Sequence, residues 1–83
     1  MTPIEAIYEI KAAVVNLERY LSSKDAVVSK KARVKYEQLV NVFFRDNKGS
    51  ETSKHRQECL NDQDFFMKLM DESVECYYLD LEG

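Results

Sequence analysis

The sequence predicts an all-α fold: a small bundle of three long helices plus one short helix, in a single domain over residues 1–83. Apolar residues recur at intervals of three and four through most of the chain, the spacing of one helix face. Only two Gly and one Pro interrupt it. No pair of alternating apolar runs around a tight turn offers a β-hairpin.

The first helix starts from Thr2, which can cap, with Pro3 at the first helical position and Glu5 completing a Thr-x-x-Glu capping box. Ile7, Ile10, Val14, Leu17 and Leu21 form its core stripe, widened by Ala6, Ala13 and Tyr20. Ile4, Tyr8 and Val15 make a thinner stripe more than a quarter-turn away, either the edge of a broad core face or a contact surface. Ser22, Ser23 and Asp25 end this helix or cap the next.

The second helix is expected from Lys24 or Ala26 to Arg45. Val28, Ala32, Tyr36, Leu39 and Phe43 form its stripe, Val40 and Val42 flank it, and Val27, Val34 and Phe44 fall off it. Asp46 to Ser50 is the best turn signal in the chain. A short helix is expected from Thr52 or Ser53 to Leu60, and a final one, capped by Asn61 or Asp62, to about Leu79. Phe66, Met70, Val74, Tyr77 and Leu81 line one face of the last helix, with Phe65, Leu69 and Cys76 beside them.

A chain of this size buries only about two-thirds of its unfolded surface, so its core is modest and a copy or partner commonly supplements it. No apolar run approaches the ~20 residues needed to span a bilayer. The start MTPIEAIYEIKAA carries acids where a secretory signal carries bases. A cytoplasmic location is expected, with Cys59 and Cys76 as reduced thiols.

The formal net charge of −3 conceals a strong segregation. Residues 1–22 sum to −1, residues 23–48 to +4, residues 49–61 to zero and residues 62–83 to −6. The basic second helix and acidic last helix either neutralise each other or face different surroundings. In the second case Asp64, Asp71, Glu75 and Glu82 present an acidic face to a basic partner. Charges of this kind steer encounter, while apolar anchors hold the complex. Adjacent Tyr77 and Tyr78 cannot both point inward on one helix, so one is expected at a rim. Tyr78 is the expected anchor, joined by Tyr8.

Other chemistries find little support. His55 and Cys59 lie four apart, a spacing for two metal ligands, but a zinc site needs two more and no metal or other cofactor is expected. The same pair lacks an orienting third group and evident oxyanion donors, so no enzyme activity is expected. Lys30, Lys31, Arg33 and Lys35 are the argument for a nucleic-acid-binding regulator. On a helix they spread over more than half the circumference, as a solvated face does. A third reading is a homodimeric bacterial regulator pairing through the first helix.

Over its whole length the chain resembles the small early or accessory proteins of T-even-type bacteriophages, among them the cytoplasmic lysis-inhibition accessory proteins. The resemblance rests on length, acidity, the start MTPIEAIYEI and the acidic tail DESVECYYLDLEG in an all-helical chain. It carries over no individual site residue. It implies a cytosolic antiholin in the host that binds the cytoplasmic part of the phage holin and delays lysis, without entering the membrane itself. Together with the residues, it points to a protein-binding module that regulates its partner by stoichiometric binding.

Overall fold

The computed structural model describes residues 2–46 and 53–82, with side chains over 2–46 and 55–80. Four helices occupy them: α1 (Pro3–Leu21), α2 (Ala26–Asp46), α3 (Ser53–Asn61) and α4 (Gln63–Glu82). Three are long and one is short, as the periodicity predicts. The last helix runs three residues beyond the expected Leu79, and the expected turn after Asp46 lies outside the described residues.

Local chemistry sets most boundaries. The Thr2 hydroxyl oxygen accepts the Glu5 N–H at 3.2 Å, satisfying one of the amides the first turn leaves unpaired. The Asp25 carboxylate accepts the Val27 N–H at 2.9 Å and caps α2. The Ser29 hydroxyl donates back to the Leu21 carbonyl at 3.2 Å, so α2 in turn closes the end of α1. One residue separates α3 from α4. The Asp62 N–H donates to the Glu58 carbonyl at 2.8 Å while its carboxylate accepts the Phe65 N–H at 3.2 Å. Asp62 thus ends one helix and starts the next.

Two other carbonyls at the end of α3 are met from α2. The buried Tyr36 hydroxyl donates to the Cys59 carbonyl, and the Arg33 guanidinium donates to the Leu60 carbonyl at 2.6 Å. A helix C-terminus carries partial negative charge on unpaired carbonyls, so a guanidinium is a favourable cap there.

The core collects Ile7, Ile10 and Val14 from α1, Ala32, Tyr36, Val40, Phe43 and Phe44 from α2, Cys59 from α3, and Phe66, Met70 and Val74 from α4. Phe66 stands edge-on to both Tyr36 and Phe43, with ring centroids 5.8 and 5.6 Å apart. Such pairs add about 0.5–1.5 kcal/mol beyond the area they bury. α1 and α3 each lie against both α2 and α4, which puts α2 and α4 at opposite corners of the bundle, joined through these rings.

Some expected core positions are only half-buried. Leu17, Leu21, Val28 and Leu39 pack at the margin, and Tyr20, expected to widen the α1 stripe, is exposed. For Leu21 and Val28 the cause is the length of the other helices. The end of α3 and the start of α4 meet the bundle at the level of Arg33 and Glu18. Beyond that level α1 and α2 have only each other to pack against. Phe44 departs the other way, buried off the main stripe with its ring 5.2 Å from that of Phe43. Leu81, also expected in the core, lies outside the described side chains.

Candidate protein-binding surface

Two contacts fix α1 and α4 in an antiparallel register. The Lys11 ammonium pairs with the Asp71 carboxylate, and the Gln63 side-chain amide donates to the Glu18 carboxylate at 2.7 Å. One helical turn beyond the ion pair comes Tyr8 on α1 and Glu75 on α4. A second turn brings Ile4 level with Tyr78. The Lys11 ammonium also sits 5.5 Å from the Tyr8 ring centroid, so one cation touches both helices' surface groups. The register gathers Tyr8, Asp71, Glu75 and Tyr78 on neighbouring turns along the α1–α4 seam.

Within that group the roles differ. Tyr77 packs half-buried against the core while Tyr78 is 49% exposed, resolving the adjacent tyrosines into one packed and one rim residue. Tyr8 is 47% exposed, which makes the thinner stripe of α1 a surface feature at Tyr8 and Val15, while Ile4 packs at the core margin. Asp71 is engaged by Lys11, so its charge is partly compensated. Glu75 is exposed and forms no ion pair among the described residues. Asp64 is exposed on the same helix but lies fourteen residues before Tyr78, about 21 Å along the axis, and belongs to the other end of the surface. The Glu82 side chain lies outside the described residues.

The segregated charges of α2 and α4 do not pair. Among the described residues the ion pairs are Lys11–Asp71 and Arg45–Asp46. The basic first half of α2 lies beside the start of α4, at the opposite end of that helix from its acidic second half.

The basic group of α2 does not act as a unit. Arg33 is held on the Leu60 carbonyl, with its guanidinium 5.8 Å from the Tyr36 ring centroid. Lys30, Lys31 and Lys35 are exposed around the helix. The capping role of Arg33 is not evident from local sequence, because its acceptor lies 27 residues away in another helix.

Cys59 and Cys76 are free thiols, the first buried and the second exposed. Burial pushes the Cys59 thiol up to about 11, with the Glu58 and Asp62 carboxylates adding to the effect. The His55 ring lies 6.2 Å from the Phe65 ring centroid. Among the described residues no three His, Cys, Asp or Glu side chains are grouped to hold a metal ion, and no helix is long and apolar enough to cross a membrane. No family model matches the chain, and neither a curated protein nor a solved structure matches it.

Proposed function

We propose that this chain is a non-enzymatic protein-binding module that regulates its partner by stoichiometric occupation. Its binding surface is the α1–α4 seam, with Tyr78 and Tyr8 as anchors and Glu75 as the steering charge. The supporting observation is the half-exposed Tyr78 next to an acid that no cation within the described residues neutralises. An exposed aromatic beside an uncompensated carboxylate suits a partner surface that is apolar and basic. Inhibition by occupancy requires a complementary face and no reacting group.

The resemblance to phage lysis-inhibition accessory proteins supplies a partner class. On that reading the chain acts as an antiholin in the host cytoplasm, holding the cytoplasmic part of a holin and delaying the membrane lesion. The test is calorimetric titration of the full chain with the soluble cytoplasmic segment of a T-even-type holin. One-to-one binding that weakens at least tenfold with Tyr78→Ala is expected. Absence of binding removes the antiholin reading. Binding indifferent to Tyr78, Tyr8 and Glu75 moves the interface off this seam.

A further inference from the structure

The outer face of α2 carries Val27, Lys30, Lys31 and Val34 at positions i, i+3, i+4 and i+7, which places all four on one stripe. Val27 and Val34 are 63% and 50% exposed, and a shallow depression of about 470 Å³ runs along the four residues. The outer face of α4 carries a counterpart at the same spacing: Glu72, Glu75, Cys76 and Leu79, with Leu79 65% exposed. Neither lysine and neither glutamate forms an ion pair among the described residues. The two stripes match in spacing and oppose in sign, while α2 against α2 or α4 against α4 sets like charges together.

We propose that this chain associates with a second copy of itself head to tail, the α2 stripe of one molecule packing on the α4 stripe of the next. Lys30 and Lys31 meet Glu72 and Glu75, and the valine on the Leu79 side of the lysines covers Leu79. Because α2 and α4 occupy opposite corners of the bundle, their outer faces point in opposing directions. One molecule therefore cannot offer both stripes to the same neighbour. The contact is heterologous and leaves one stripe of each kind free at the ends of any open assembly. A copy seated on α4 covers Glu75, so self-association and occupation of the α1–α4 seam compete. This goes beyond the partner-binding reading and is tested with no partner present.

The experiment is sedimentation velocity on the purified full-length chain across concentration and salt. The average mass is expected to rise above the monomer with concentration at low salt. It should return to the monomer at ~1 M salt, where screening acts within about 3 Å. Lys30→Glu with Lys31→Glu should be monomeric, as should Glu72→Lys with Glu75→Lys. An equimolar mixture of the two should associate again, because each altered stripe then finds an opposite charge. Val34→Asp, a surface change that keeps the helix, should also be monomeric. A wild-type chain that stays monomeric throughout, association indifferent to salt or to these substitutions, or a mixture that stays monomeric would each overturn the proposal. None of these outcomes bears on holin binding, which the titration above reads separately.

Discussion

The Tyr36 hydroxyl donates to the Cys59 carbonyl across the buried face between α2 and α3. Cys59 stands in the last turn of α3, where helix geometry leaves carbonyls without amide partners. Tyr36→Phe keeps the ring against Phe66 but strands that carbonyl, which should cost about 1–3 kcal/mol. Arg33→Ala, at a wetter site, should cost roughly 1 kcal/mol. Urea unfolding of the two variants checks both values.

Alkaline pH should loosen the same junction. Burial, chiefly, pushes the Tyr36 phenol up to about 12 and the Cys59 thiol up to about 11, from ordinary values of 10.0 and 9.0. Both groups hold their protons more tightly folded than unfolded. Their contribution is complete below about pH 9 and is lost as pH rises through 11 and 12. Melting temperature should fall across that window, and Tyr36→Phe should flatten the upper part of the fall.

Core truncations should rank by position in the bundle. Phe66 is fully buried and touches two rings of α2, so Phe66→Ala should cost about 3–5 kcal/mol. Leu17, equal to the other stripe residues by spacing alone, is only partly buried, and Leu17→Ala should cost about 1–2 kcal/mol. Equal losses in denaturant melts would contradict the partial burial of Leu17.

Binding variants should separate by rate. Glu75→Lys removes a steering charge and should slow association, with less salt dependence. Tyr78→Ala should mainly speed dissociation. Asp71→Lys is a poorer probe, because it also breaks the pair with Lys11. Stopped-flow kinetics with the soluble holin segment, beside melts confirming an unchanged fold, checks these outcomes.

The two thiols should react at very different rates. Cys76 is exposed and should be modified by a thiol reagent within the mixing time of the native protein. Cys59 is buried, with its thiolate disfavoured, and should react only as fast as the bundle opens. Comparable native rates would contradict the packing of α3.

Much of the fold was legible because the signals are local. The Thr2 cap, the Asp25 cap and the three–four stripes each act within a turn or two of chain. Leu21 and Val28 are only half-buried because periodicity gives a residue's face but not whether another helix reaches that level. Local sequence places Arg33 in a solvated basic run, because its acceptor lies in another helix. The split between Tyr77 and Tyr78 was foreseeable from helix geometry. The compensation of Asp71 by Lys11 was not, since it depends on the pairing of helices at opposite ends of the chain.

The borrowed cap of α3 bears on how the molecule opens. A nine-residue helix has little stability of its own in water, and this one draws two of its terminal bonds from α2. Its backbone amides should therefore exchange with solvent only when α2 and α3 separate, a local opening that needs no disruption of the α1–α2 hairpin. Tyr36→Phe should then accelerate exchange in α3 more than in the middle of α1. Hydrogen exchange would thus divide the bundle into a slow hairpin and a faster flap, hinged where Asp62 joins α3 to α4.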